Sequence, residues 1–368
     1  MDALYANQFT AIDYPVFELK GHDGPYLSIH NNSVHVLSVN ERGDISMSID
    51  EGIRSFHCAV DNEDEDSFTV TIDGDNSSAK SCGFEVPSKI FVVSDIEGNF
   101  NALYSLLVAN GVMDENYKWT FGDGQFVVLG DLVDKGENVM QCLWLVYHLE
   151  SQARENGGSV HFILGNHELM NLTLDVRYVN EKCLALAQKI SRIENPSLAY
   201  FHLMKRNNVL MDWVKGRNCI ERIGDILFVH GGISPDFLKM KLKIEDINET
   251  LRLFVKEERP ATLATKVVLG ESGPLWYRRM IEDRKDLEKV NEKFIDEVLD
   301  FYDAKKIVIG HTIVDEVSAD YHDKLIRVDV LHPEAKFSNE SQALLITGNS
   351  FYRVTGSGEI EMISKDSD

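Results

Sequence analysis

Five short apolar runs along the chain each end on polar residues set among glycines. Ile90-Phe91-Val92-Val93 leads into Ser94-Asp95-Ile96-Glu97-Gly98, and Phe126-Val127-Val128-Leu129 into Gly130-Asp131-Leu132-Val133-Asp134-Lys135-Gly136. Val160-His161-Phe162-Ile163-Leu164 leads into Gly165-Asn166-His167-Glu168, Ile226-Leu227-Phe228-Val229 into His230-Gly231-Gly232, and Ile307-Val308-Ile309 into Gly310-His311. Continuous apolar runs of this length read as strands buried on both faces, and an α/β sheet gathers its chemistry at the carboxyl ends of its strands. The five ends are expected to converge on one rim.

Helical periodicity fills the intervals. Asn99 to Ala109 places Leu103, Leu106 and Leu107 on one face, and Glu137 to Arg154 does the same for Val139, Leu143, Val146 and Tyr147. Further helices are predicted near Glu245 to Glu258 and Asp286 to Tyr302, the latter with Leu287, Val290, Phe294 and Val298 at helical spacing. A polar, less regular helical insertion is expected near 169–218, beside the rim, where it would cap a site. Trp144 and Trp213 read as core residues.

Earlier in the chain the period changes to two. From about Phe17 to Ile72, alternation and turn signals at Gly21 to Pro25, Asn31-Asn32 and Gly43-Asp44 predict a small all-β domain. The acidic run Asp61-Asn62-Glu63-Asp64-Glu65-Asp66 reads as a solvated hairpin loop, since its spacing does not reproduce a calcium-binding EF-hand loop. Asp73 to Ser78 reads as a turn or linker and Pro87 opens the next domain. The boundaries expected are 1–86 for the β-rich domain and 87–368 for the larger one. At the far end, Leu325 to Val330, Ala343 to Thr347 and Ser350 to Val354 read as strands that complete a second sheet.

Charge narrows the partners. The 368 residues carry 37 Lys+Arg against 60 Asp+Glu, a formal net charge of -23. Like charge over the whole surface argues against nucleic acid and anionic membranes, so a phosphate-bearing substrate needs local positive charge. No run approaches the roughly 18 apolar residues of a spanning helix, and Met1 to Phe9 has no basic segment followed by an apolar core, so a cytoplasmic protein is expected. The five cysteines are scattered without a CxxC pair and read as buried or idle thiols.

The five strand ends supply Asp, Glu, Asp, Asn, His and His. This mixed oxygen and nitrogen set, without thiolate, suffices for two divalent cations, and Asp131 at its centre is the candidate bridge. In this order SDIEG, GDLVDKG, GNHE, HGG and GH resemble the motifs of the calcineurin-like metallophosphoesterases. HGGISP (His230 to Pro235) resembles their phosphoprotein phosphatase branch. Gly165 to Asn171 followed by Arg177-Tyr178-Val179, together with Gly273-Pro274-Leu275-Trp276-Tyr277-Arg278, is similar to the bacterial Shewanella-like phosphatases. The resemblance covers roughly Lys89 to Val354, and a preceding β domain is also what a cold-active tyrosine phosphatase of that group would lead one to expect.

The resemblance implies an α/β fold of two packed mixed β-sheets flanked by helices; the strand pattern alone does not distinguish this from a doubly wound sheet. It implies that Asp95, Glu97 and a bridging Asp131 hold one cation, and that Asp131, Asn166, His230 and His311 hold the other. It makes His167 the general acid, held in its tautomer by Asp134. The cofactor implied is two divalent ions, manganese first, with iron, zinc or magnesium as alternatives. The substrate implied is a phosphorylated protein, on Ser/Thr or Tyr, or a small phosphate ester.

Two cations a few ångström apart neutralise phosphoryl oxygens and lower the pKa of a shared water, which overcomes the slowness of phosphate monoester hydrolysis. Planar guanidinium suits the equatorial oxygens. Arg278 is the first candidate and Arg177 the second, with Lys135 and Asn166 as further phosphate contacts; for Arg177 a surface ion pair is the competing reading. Two positions depart from the family pattern. Glu97 stands where His is usual, which favours manganese or magnesium and a less acidic water, and Lys135 stands where Arg is usual, which loses bidentate geometry. Two other functions fit the same residues. One is a phosphodiesterase or dinucleotide polyphosphatase, against which Ile313 stands where many diesterases have an additional His. The other is a degenerate, binding-only relative.

Overall fold

The computed structural model describes residues 18–31, 33–52, 55–72, 81–256, 262–282 and 288–366. Met1 to Phe9, the β-domain start at Phe17, the Asp73 to Ser78 linker, the helix end at Glu257 and Glu258, and the helical starts at Asp286 and Leu287 lie outside these residues.

The amino-terminal β region forms two small antiparallel sheets. Strands β1 (Asp23–His30), β2 (Ser33–Val39) and β3 (Ile45–Glu51) make one, and β4 (Ser55–Ala59) with β5 (Ser67–Thr71) the other. The remaining chain contributes β6 (Gly83–Phe84), β7 (Lys89–Val93), α1 (Phe100–Ala109), β8 (Gln125–Leu129), α2 (Val139–Glu155), β9 (Ser159–Ile163) and helices α3 (Asn166–Leu172), α4 (Glu181–Ser191), α5 (Pro196–Lys205) and α6 (Asn208–Lys215). Then follow β10 (Ile220–Ile223), β11 (Ile226–Val229), α7 (Pro235–Lys239), α8 (Ile244–Val255), α9 (Leu263–Val268), α10 (Glu292–Tyr302), β12 (Lys306–Ile309), β13 (Ser318–Asp320), β14 (Leu325–Arg327), β15 (Gln342–Thr347), β16 (Ser350–Thr355) and β17 (Ile360–Lys365).

Two six-stranded mixed sheets result, in the orders β17-β16-β15-β7-β8-β9 and β13-β14-β12-β11-β10-β6. The five apolar runs are therefore divided between two sheets, three in the first and two in the second, and their ends meet across the sandwich. The expected second sheet is corrected as well. β15 pairs antiparallel with β7 and so completes the first sheet, while β14 joins β12 in the second. Period alone does not reveal which edge a strand joins.

The sheets pack through Ile90, Val92, Val127, Leu129 and Ile163 on one side and Ile223, Phe228, Val308 and Ile326 on the other. The opposite face of β7 and β8, with Phe91, Val93, Phe126 and Val128, packs on the helices. Burial on both faces explains why these runs show no alternation. Asn99 caps α1 by accepting the Ala102 N–H at 3.0 Å, and the inward residues of α1 and α2 are buried as their spacing predicts.

The amino-terminal sheets are seated on α2. Trp144 packs edge-on against Phe56 at 4.7 Å and donates its Nε1–H to Pro25 O at 2.7 Å. Asp61 exchanges two hydrogen bonds with Asn138 and takes Lys182 Nζ at 2.7 Å. The acidic run is the expected hairpin loop between β4 and β5, exposed at Glu63, Asp64 and Glu65 but pinned at its ends, with Lys336 Nζ between Asp64 (2.8 Å) and Asp66 (2.5 Å). The insertion is helical: α4 packs on α5, and α6 on β1. All five cysteines are free and buried, and no helix among the described residues is long and apolar enough to cross a membrane.

Candidate active site

Tight turns after three of the five strands, β7, β8 and β12, carry candidate residues in an uncommon backbone conformation. Asp95, Glu97, Asp131, Asp134, Lys135 and His311 all have positive φ, between 49° and 76°. Such positions cost free energy for residues other than glycine and persist where neighbours over-determine them. Here the neighbours are hydrogen bonds between turns: Asp95 N–H to Gly130 O (3.1 Å), Glu97 N–H to Asp131 O (2.8 Å) and Gly136 N–H to Glu97 O (2.8 Å). Two glycines make room. At Gly130, with φ of 85°, a Cβ would stand 2.4 Å from His230 Nδ1, and at Gly165 it would stand 2.2 Å from Asp131 Oδ1.

Asp131 is the hub. Its Oδ1 accepts the His167 backbone N–H at 2.9 Å, and its Oδ2 lies 3.2 Å from His230 Nε2 and 3.8 Å from His167 Nε2. Two groups of ligand atoms, each within 4.8 Å of one another, share it: Asp131, His230 and His311, and Glu97, Asp131 and His167. Asn166 joins the first through Oδ1, 3.1 Å from His230 Nε2. Asp95, expected with Glu97, lies outside both groups; its Oδ2 accepts from Ser94 Oγ at 2.5 Å and from the His311 N–H at 3.1 Å.

The histidines have assigned faces. His230 gives Nδ1–H to Leu129 O at 2.8 Å and keeps Nε2 for the cluster. His311 gives Nε2–H to Trp276 O at 3.1 Å, which leaves Nδ1. Burial, then His230 and Arg278, pushes His311 down to about 2, so it is a neutral imidazole near neutral pH. His167 gives Nδ1–H to Asp134 Oδ2 at 2.8 Å. Burial opposes its protonation, but that hydrogen bond and Asp131 outweigh burial and raise its pKa.

The carboxylates exceed the positive charge near them. Burial, reinforced by Asp131, raises Asp95 to about 6 despite His230. Burial, then Asp95, raises Asp329 to about 9. Burial also opposes ionisation of Asp131, but His230, with His167 and His311, outweighs it and holds this carboxyl below its usual range. Burial opposes protonation of His230 as well, but Asp131 and Asp95 outweigh it and pull this imidazole up to about 10. Crowded carboxylates beside imidazole nitrogens, with oxygen and nitrogen donors only, are what hard or borderline divalent cations require. The residues fit two such ions.

A cavity of about 280 Å³ opens on the cluster, with Asp95, Glu97, Asp131, Lys135, His167 and Arg278 in its wall. Arg278 is brought to it, anchored by Nη1–H donation to His311 O. Lys135 is brought to it as well, but its Nζ rests on Glu97 Oε1 at 2.5 Å. Arg177 is not. Its guanidinium makes a fork to Asp175, at 2.6 to 3.0 Å, on the exposed surface, so the surface-pair reading describes its place.

Four contributors escaped the sequence reading. Glu168 accepts N–H bonds from Gly165, Asp131, Leu132 and Val133 at 2.8 to 3.3 Å and so ties two turns together. Asn171 donates to Asp134 Oδ1 at 2.7 Å and accepts from Tyr200 OH, which extends the His167–Asp134 pair into a chain. Asp329 lines the cavity. Glu168 carried a visible signal, an acid in the first turn of a helix.

Comparison with known proteins agrees with this geometry. The sequence profile of the family described as calcineurin-like phosphoesterase matches residues 88–315. The chain belongs to this family. Among its calcineurin-like relatives, Shewanella-like protein phosphatase 2 of Arabidopsis thaliana is 24% identical over 73% of this chain and 80% of its own. Shewanella-like protein phosphatase 1 of Plasmodium berghei is 30% identical over 61% of each chain. The crystal structure of a cold-active protein-tyrosine phosphatase from a psychrophilic Shewanella superposes with a TM-score of 0.80 at 26% identity, covering 94% of this chain and 100% of that one. As a member, the chain is a metallophosphatase with two mixed sheets flanked by helices, acts on a phosphorylated substrate and uses divalent metal.

Proposed function

We propose that this phosphatase removes phosphate from phosphotyrosine in proteins, with Asp131 bridging two divalent cations, manganese first. The observation that carries the reading is that Asp131 belongs to both ligand groups while His167 Nε2 stands 3.8 Å from its Oδ2. Asn166, His230 and His311 would complete one cation's set; Glu97 would serve the other with Asp95, so that His167, which shares the second group with Glu97 and Asp131, is left as the proton donor. The cations, when bound, supply charge neutralisation at the phosphoryl oxygens and a water acidified enough to attack near neutral pH.

The protein's own residues do the rest. Because Nδ1–H is donated to Asp134, the proton that His167 can transfer is the one on Nε2, and its raised pKa keeps that proton available for the leaving oxygen. Arg278, anchored on the His311 carbonyl, offers its other N–H groups to the equatorial oxygens, and Asn166 offers its amide. Ile313 and Leu331 line the cavity while 54% and 71% exposed, and the Tyr178 ring lies 5.0 Å from His167. An apolar rim favours an aromatic leaving group, as in the protein-tyrosine phosphatase named above. A second reading draws on symmetrical bis(5'-nucleosyl)-tetraphosphatases, 26% identical over 40% of this chain in the example from Xylella fastidiosa.

Chelator-treated protein resupplied with manganese, magnesium or zinc is assayed on p-nitrophenyl phosphate, phosphotyrosine and phosphoserine peptides, and a dinucleoside tetraphosphate. Metal-dependent turnover, best on phosphotyrosine, is expected, with Asp131→Asn lowering kcat/KM about 1000-fold or more. His167→Asn is expected to cost about 100-fold on the peptides and less on p-nitrophenyl phosphate, whose phenolate leaves without a proton. Turnover that survives metal removal sinks the reading. Preferred cleavage of the dinucleotide moves it to the second.

A further inference from the structure

Lys135 and Glu97 face each other with their backbones locked and their side chains free. The Lys135 N–H bonds Tyr178 O at 2.9 Å, and its carbonyl accepts Asn180 Nδ2 at 2.9 Å. Glu97 is held on both sides by Asp131 O and the Gly136 N–H, at 2.8 Å each. Both residues have left-handed φ, 53° and 49°, so neither backbone slides without strain. The lysine side chain is 48% exposed and reaches the carboxylate from the cavity mouth. Among the described residues, the other Lys or Arg lining that cavity is Arg278, fixed on the His311 carbonyl. Lys135 is therefore the cavity's movable positive charge.

An ammonium on Glu97 Oε1 stands where a divalent cation would draw on the same carboxylate. The two are mutually exclusive neighbours, since cation repels cation at contact distance inside a partly buried site. We propose that Lys135 is an internal stand-in for the cation at Glu97. It holds the carboxylate while the cation is absent and, once displaced, swings on its flexible stem to a phosphoryl oxygen. Arrival of the metal thus frees the residue that helps to bind substrate, and by linkage each tightens the other. The inference rests on the reading of Glu97 as a metal ligand.

The test reads binding without turnover. Calorimetry measures Mn²⁺ affinity for the wild type, Lys135→Met, Lys135→Gln and Lys135→Arg, and inorganic phosphate affinity with and without Mn²⁺. Removing the competing charge is expected to tighten the Glu97-side Mn²⁺ site about three- to tenfold in Lys135→Met and Lys135→Gln, with Lys135→Arg near the wild type. Phosphate is expected to bind both neutral variants about fivefold more weakly, and Mn²⁺ to improve phosphate binding less in them than in the wild type. Unchanged or weaker Mn²⁺ affinity in both neutral variants, with cooperative thermal unfolding retained, overturns the proposal and leaves Lys135 as a phosphate contact alone. Glu97→Gln separates the two levels. If it leaves Mn²⁺ affinity untouched, the ligand reading itself falls, and this proposal with it.

Discussion

Strand β9 runs beside two buried polar clusters with opposite characters. Near its residue His161, Arg217 meets Glu150 at 2.8 Å, Trp213 Nε1–H donates to the same carboxylate at 2.7 Å, and His161 and Asn218 each meet Glu221 at 2.7 Å. Charge is matched by charge or by donors from the protein itself. Past the carboxyl end of the strand, at Asn166 and His167, carboxylates crowd one another, and Asp95 and Asp329 are pushed up to about 6 and about 9. Matched burial holds a fold together; unmatched burial marks a place built for something the protein does not supply.

The largest effect comes from breaking the matched side. Arg217→Met leaves Glu150 buried beside an apolar chain and is expected to cost about 3–5 kcal/mol of stability. Activity per folded molecule should stay within about twofold, because Arg217 touches nothing in the catalytic cavity. Chemical denaturation paired with active-site titration checks both parts. A small stability change with a large activity loss would erase the distinction between the clusters.

On the unmatched side, removing a charge should stabilise. Asp329 is 3% exposed, and burial, then Asp95, raises its pKa from 3.8 to about 9. A raised carboxyl contributes stability fully below its unfolded value and loses it as pH climbs through the folded one. Chelated protein is therefore expected to lose thermal stability between about pH 4 and pH 9. Asp329→Asn should flatten that slope and gain about 1–3 kcal/mol at pH 8. Manganese should shrink the gain, since bound cations supply the missing charge. No gain in the chelated mutant would show that Asp329 finds its match within the protein.

The contrast also explains what the sequence disclosed. Asp95, Asp131, Asn166, His230 and His311 were legible because each follows an apolar run, and strand ends are where such folds place chemistry. Asp329 follows Leu325-Ile326-Arg327-Val328 in the same manner, yet the charged Arg327 in the run hid the likeness. Asn171 reaches Asp134, and Tyr200 reaches Asn171, from the expected insertion, contacts between distant segments that no local period records. The division into two sheets followed from the family resemblance and not from the strand pattern, for a related reason: a strand buried on both faces reads alike in either. Arg177 misled because Asp175, two residues away, captures it before it reaches the cavity.

The acidic loop at Asp61 to Asp66 tests the comparison at its weakest. There one lysine, Lys336, matches two carboxylates near the surface, and its Nζ lies 4.5 Å from the centre of the Tyr104 ring. Asp64 is largely exposed while Asp66 is mostly buried and also accepts Asn62 Nδ2–H at 2.6 Å, so water and a neutral donor share the load if the lysine is lost. Lys336→Met keeps an unbranched apolar chain and removes the charge, and with it both ion pairs and the cation contact to the Tyr104 ring. It is expected to cost about 1 kcal/mol, a fall of about 2 °C in Tm, and to leave kcat/KM unchanged. Scanning calorimetry beside a phosphate-release assay checks this. A fall of about 8 °C or more would place Lys336 with Arg217, as a matched charge on which the seating of the amino-terminal sheets depends, because Asp61 in the same loop bonds Asn138, at the start of α2, and Lys182, in α4.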